Sequence, residues 1–132
     1  MIVIDTHVLL WWFSSESRRI SQRAVERLEA ERREGAILVS AISIWEIAHL
    51  QARRRIGLAM DIHTWLEVVS RVDAIDFVPV DNSIAIIAAQ LDDSFHRDPA
   101  DRFIIATSLR TSSPVVTGDE KIRNHPGVQT IW

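Results

Sequence analysis

Cysteine is absent from this 132-residue sequence, which excludes a disulfide framework and any thiolate metal site and fits a reducing compartment. Glycine and proline number only four each. With no Gly/Ser linker, repeat or low-complexity tract, residues 1–132 read as a single domain. Apolar runs are short, and none approaches the roughly 18 uninterrupted residues of a membrane span. The apolar start up to Phe13 fails as a secretory leader: no cation precedes it, Asp5 and His7 interrupt it, and no small-residue cleavage pattern follows. The expected location is therefore cytoplasmic, with no membrane partner. Positive charge is not in excess either, since the net charge is −3, so the molecule as a whole lacks the basic signature of a nucleic-acid binder. His49, His63, His96 and His125 show no H-x-x-x-H spacing, and no zinc site is expected.

What is present is the composition of a compact domain, 47% hydrophobic and 25% charged. Local charge departs from the mean at Arg53, Arg54 and Arg55. A solvated helix end is the ordinary explanation of such a triplet, and phosphate contact is the alternative.

Residues 2–5 (IVID) read as a buried strand and HVLLWWF as a short helix after it. A helix is expected over 22–34, capped by Ser21, stapled by Ile20 and Val25, presenting Ala24, Val25 and Leu28 on one face and ended by Gly35. AILVS (36–40) is a second strand, and a helix follows from about Ser43 into the arginine triplet. The next helix starts after Asp61 and carries an apolar stripe of Ile62, Trp65, Leu66 and Val69. DFVPV (76–80) is a third strand whose Pro79 suits an edge or a strand end. A helix over 83–91 takes Asp81 or Asn82 as cap, and DPADRFIIATSL takes Asp98 as cap with Pro99 at its first position. PVVT (114–117), a short DEKIRN helix and VQTIW (128–132) complete the chain. Apolar strands separated by helices imply parallel crossovers, hence an α/β fold in three α/β/α layers around a central parallel sheet of four to five strands.

In such sheets ligands bind beyond the carboxyl ends of the strands, where the strand order reverses. Asp5 ends the first strand at that rim and need not be buried. Glu46 lies in the first turn of the helix after strand two, Asp101 in the first turn of the helix before strand four, and Asp119 just beyond strand four. Four carboxylates at one edge repel one another and titrate together unless a hard cation intervenes. Mg²⁺ is the natural occupant of such an oxygen-only set, and it supports hydrolysis of a phosphodiester by an activated water. Each acid also has a structural explanation. Glu46 fits a capping box with Ser43, while Asp98, Asp101 and Asp119 suit helix N-termini. Only Asp5 resists explanation as a cap, because Asp is disfavoured in strands.

The successive stretches IDTHVLLWW, SAISIWEIA, RDPADRFIIATS and VVTGDEKI resemble the motifs of PIN-domain ribonucleases, in particular VapC-type toxins of toxin–antitoxin pairs, from Ile2 to Ile122. The resemblance implies Asp5, Glu46, Asp101 and Asp119 as the catalytic and metal-holding acids, with Thr6, Asp98 and Thr117 accessory. Ser108 stands where alanine is commoner in the family. The resemblance further implies an endoribonuclease dependent on Mg²⁺ or Mn²⁺, an RNA substrate, a homodimer, and inhibition by a small VapB-like antitoxin. Arg53, Arg54, Arg55 and Arg102 are candidate RNA contacts, Arg102 being alternatively a partner of the acids. Trp11 and Trp12 read as core, and His7 as a hydrogen-bonded structural histidine. Two other readings are a haloacid-dehalogenase-like phosphotransfer enzyme, disfavoured because His7 stands where D-x-D needs its second acid, and a receiver-like or degenerate, non-catalytic PIN binding module. A receiver needs an acidic pair behind strand one that is missing, and a degenerate module should have lost one of the four acids.

Overall fold

The structure is a computed structural model that describes residues 1–92 and 98–132; His96 lies outside the described residues. Strands β1 (Ile2–Ile4), β2 (Ile37–Ser40), β3 (Ile75–Val78), β4 (Val115–Val116) and β5 (Thr130–Ile131) form one sheet in the order β3-β2-β1-β4-β5, every pairing parallel. Among the described residues the helices are α1 (Thr6–Trp12), α2 (Gln22–Glu34), α3 (Ala41–Ala52), α4 (Ile62–Ser70), α5 (Asn82–Gln90), α6 (Pro99–Thr111) and α7 (Glu120–Arg123). None of them is long and apolar enough to cross a membrane.

Successive strand residues point to opposite faces, and this divides the core in two. Ile2, Ile4, Ile37, Val39, Val116 and Ile131 face Val8 and Leu9 of α1, Ala24 and Leu28 of α2, Ile47 of α3, and Trp65 and Val69 of α4. Val3, Leu38 and Val115 face Ile104 and Ile105 of α6 and Ile122 of α7. α5 sets Ile84 and Ala88 against Ala106 of α6. Both faces of the sheet are covered over β1, β2 and β4, whose residues are all buried, whereas the edge strand β3 leaves Asp76 and Phe77 exposed. The expected three-layer α/β/α architecture is the one adopted. Pro79 falls just after the edge strand β3, where its missing N–H costs no ladder bond.

Capping side chains set most helix starts. Ser21, Asp61, Asp81 and Asp98 accept from the first-turn N–H groups of α2, α4, α5 and α6. Two expectations are corrected. Val25 remains 39% exposed, so α2 packs through Ala24, Leu28 and Glu31 instead. α3 begins one turn earlier than the Ser43–Glu46 capping box requires, because Ser40, the last residue of β2, caps it by accepting from Ile42 N–H at 3.3 Å.

Glu31 is a buried acid that the sequence did not single out. Its carboxylate meets the Met1 ammonium at 2.7 Å and Arg27 at 2.8 Å, and accepts from Ala36 N–H at 3.3 Å. Although burial opposes ionisation, these partners hold its pKa below the ordinary 4.5. A Cβ on Gly35 would overlap that carboxylate, so a larger residue at the end of α2 would push Glu31 away from its partners.

The chain runs from β1 outward to β2 and β3, then returns to lay β4 on the other side of β1. The strand order reverses between β1 and β4, and the crevice beyond their carboxyl ends is the natural ligand position.

Candidate functional site

Asp5 and Asp119 flank that reversal. Asp5 follows β1 directly, its N–H donating to Val116 C=O at 3.2 Å. Its carboxylate accepts from Val8 N–H at 2.7 Å, so Asp5 is the cap of α1. It is also 5% exposed. Both sequence expectations about this residue are thereby corrected, because α1 starts with no intervening loop and strand end, helix cap and rim coincide in one buried side chain. The fully buried Thr117 hydroxyl donates to Asp5 and accepts from Asp119 N–H at 3.0 Å. Asp119 in turn caps α7, accepting from Lys121 N–H at 2.8 Å. Gly118 separates the two: a Cβ there would come within 2.7 Å of the Trp132 ring. This close approach had one sequence signal, a glycine between a threonine and an aspartate after a strand.

Glu46 sits in the second turn of α3, not the first as expected. Its helix is tied to the Asp5 segment by a buried bond in which Thr6 Oγ1 donates to Ser43 Oγ at 3.0 Å. Ser43 is therefore a positioning residue and not a cap. The signal was Thr6 itself, since a hydroxyl in an apolar run must find a buried partner.

On α6, Asp98 accepts from Ala100 N–H at 2.9 Å and Asp101 N–H at 3.4 Å. Asp101 lies in the first turn, half-buried. Burial, and then the fields of Asp98, Asp119, Glu46 and Asp5, push its pKa from 3.8 up to about 8. Asp5 is also raised, chiefly by burial and slightly by Asp119, against the lowering hydrogen bonds of Thr117 and Val8 and the field of His7. Four other acids, carried by α1, α3, α6 and α7, bear on the Asp101 carboxyl group.

Among the described residues, no three His, Asp or Glu side chains stand close enough to hold an ion jointly. Mg²⁺ binds one or two carboxylates directly and keeps several waters. The oxygen-only donor set, with its mutual repulsion, fits such a hydrated ion and not a dehydrated one gripped by every acid at once.

The arginines divide. Arg102 Nε donates to Ala88 C=O at 3.1 Å and Nη2 to Leu91 C=O at 2.7 Å, closing the end of α5. In the structure these donors serve helix-end carbonyls and not the site acids. Arg53, Arg54 and Arg55 are exposed at the end of α3. Trp11 and Trp12 pack on the core as expected, with Arg19 4.5 Å above the Trp11 ring. His7 is exposed with its ring tilted 5.8 Å from Trp11, and in place of the expected hydrogen bond this ring contact is what its side chain makes among the described residues. Ser108 uses its hydroxyl structurally, donating to Ser113 C=O at 2.6 Å.

The sheet order defines a doubly wound α/β domain, with Asp5 and Asp119 at the strand ends that flank its switch point. A family model for the PIN domain matches residues 2–128, and the chain belongs to that family. Ribonuclease VapC22 of Mycobacterium tuberculosis is 35% identical over 133 aligned positions, covering 99% of this chain and 98% of that protein. Two solved structures share the fold. One is VapBC2 from Rickettsia felis bound to a DNA fragment from its promoter, with a TM-score of 0.73 and 12% identity over 98% of this chain and 97% of that one. The other is a toxin-antitoxin complex from Klebsiella pneumoniae, with a TM-score of 0.67 and 19% identity over 97% and 95%. PIN-family membership sets aside the haloacid-dehalogenase and receiver readings.

Proposed function

We propose that this chain is a Mg²⁺- or Mn²⁺-dependent endoribonuclease, the toxin of a toxin–antitoxin pair, in which one or two of Asp5, Glu46, Asp101 and Asp119 would ligate the ion directly and the others would act through its waters. The observation that carries this is the match of a PIN-domain model to residues 2–128, supported by a half-buried Asp101 whose pKa is pushed up to about 8 by burial and by the surrounding acids. Such an arrangement destabilises the free protein and is relieved by a cation, and it recurs where function demands it. The 35%-identical relative named a ribonuclease gives the reaction class.

When bound, the ion supplies an activated water as nucleophile and neutralises charge building on the phosphate during in-line displacement. The protein's own groups prepare its place. Val8 N–H and Thr117 hold the Asp5 carboxylate in one orientation. Thr117 also sets the backbone from which Asp119 projects. The Thr6–Ser43 bond sets α3, and so Glu46, against β1. Asp98 fixes the first turn of α6, from which Asp101 would reach the ion.

The partner is a VapB-like antitoxin encoded nearby, as the toxin-antitoxin complexes among the structural neighbours suggest, and the active form is a homodimer. Purified wild type, Asp5→Asn and Asp101→Asn are compared on single-stranded RNA with and without Mg²⁺. Cleavage confined to the wild type with Mg²⁺ supports the reading, and full activity in either variant overturns it. Arrest of bacterial growth on expression of the wild type alone, relieved by co-expressed antitoxin, tests the toxin role. Sequencing fragment ends after brief expression identifies the RNA.

A further inference from the structure

Trp45 is the residue before Glu46, yet 55% of its surface is exposed. One indole face is supported: His49, one turn further along α3, stacks on it at 4.8 Å and 21°. Arg53 Nη1 lies 2.7 Å from the ring nitrogens of His49, so the cation follows the two rings along the helix. An exposed indole normally samples several rotamers. Here the His49 ring backs one of its faces as a flat shelf. Glu46 lies about 100° around the helix from Trp45, and its field reaches Asp101. Trp45 is thus next to Glu46 in the chain but on a different side of α3.

A second observation lies at the other end of the stripe. Arg54 adopts φ 55°, closing α3 with its N–H on Gln51 C=O at 2.9 Å, while Arg55 N–H reaches Leu50 C=O at 2.9 Å. Glycine is the residue favoured there, and a non-glycine residue at positive φ carries a strain of order 1 kcal/mol. A cation retained at that cost, between two more, indicates use of its charge. Among the described residues none of Arg53, Arg54 or Arg55 is paired with a carboxylate.

The geometry points to α3 as a binding track for single-stranded RNA: an unpaired base stacks on Trp45, and the strand's phosphates run along the stripe to Arg53 and Arg54, about 12 Å away along the axis. The track rests on the nuclease reading for its choice of ligand. Aromatic stacking flanked by cations is how unpaired nucleotides are held without sequence preference. A surface made for a protein partner would continue as an apolar patch, whereas Trp45 is followed by His49 and three arginines.

The test is fluorescence anisotropy of a labelled oligouridine, and of a duplex RNA of equal length, titrated with the full chain in EDTA so that nothing is cut. Trp45→Ala weakens oligouridine binding roughly ten- to hundredfold, with duplex affinity unchanged, and Trp45→Phe restores most of the loss. Arg54→Gln reduces the slope of log affinity against log salt by about one. Equal oligouridine affinity in wild type and Trp45→Ala overturns the proposal. So does a change of oligomeric state in Trp45→Ala with equal loss on both RNAs, which assigns Trp45 to an interface between copies. Because the titration needs no catalysis, RNA cleavage persisting in Asp101→Asn would end the active-site assignment and leave this result standing.

Discussion

Replacing Asp101 by asparagine should stabilise the metal-free protein, and by an amount that depends on pH in a defined direction. The carboxyl's pKa rises from 3.8 in the unfolded chain to about 8 in the fold. Folding therefore takes up a proton between those values. The sign follows: the group's contribution is fully present below about pH 4 and is lost progressively as pH rises towards 8. At about 1.4 kcal/mol per pH unit, the interval from 3.8 to neutrality gives an upper bound of about 4 kcal/mol. Asp101 is only half-buried, and solvent screening reduces this to about 1–3 kcal/mol. Asparagine keeps the shape and removes the ionisation. In a domain of this size the gain is worth about 5–10 °C in melting temperature. Thermal melts of wild type and Asp101→Asn in EDTA, at pH 4.5 and 7.5, read it directly. The variant should melt higher at 7.5, the gap should shrink at 4.5, and Mg²⁺ should raise the wild type more than the variant. A gap independent of pH, or a variant less stable at 7.5, would refute the account of Asp101 as a carboxyl frustrated by its neighbours.

Thr117→Val removes the hydroxyl that joins Asp5 to Asp119. It should cost about 1–2 kcal/mol in denaturant melts and raise the Mg²⁺ concentration needed for half-maximal cleavage; unchanged metal dependence would show that the bridge positions nothing. Arg54→Gly relieves the positive-φ strain at the end of α3 and should stabilise by about 0.5–1 kcal/mol while weakening oligonucleotide binding. A loss of stability on urea unfolding would contradict the strain argument. Glu31→Gln removes the partner of the Met1 ammonium. Since the Glu31 pKa is lowered from 4.5, its contribution is present above that value and lost as pH falls below it. The half-exposed ammonium limits the cost to about 1 kcal/mol near neutrality, and the difference from wild type should close in acid melts.

The fold was legible because it is written in local signals. Unbroken apolar runs at Ile2–Ile4 and Ile37–Ser40, alternating with capped helices, require parallel strands covered on both faces. Asp61, Asp81 and Asp98 occupy the cap positions their side chains favour. Asp5 was the instructive error. Its sequence neighbours do not show that α1 turns back at once over the sheet, so its double service as cap and buried acid was invisible. Ser43 and Glu46 matched a capping-box pattern, but Ser40 competes for the same helix start and wins by ending β2. Arg102 looked like a neighbour of the acids, yet its guanidinium reaches back to the end of α5.

The sequence by itself determined the fold class, the family likeness and which four acids to consider, because periodicity, caps and residue order act over a few neighbours along the chain. Only the tertiary structure decided how those acids affect one another. The raised pKa of Asp101, the Thr117 bridge between Asp5 and Asp119, and the bond from Thr6 to Ser43 join segments from 37 positions apart, for Thr6 and Ser43, to 112, for Asp5 and Thr117. Burial and electrostatic field are properties of distance in space, and they come into being only when the sheet brings the strand ends together.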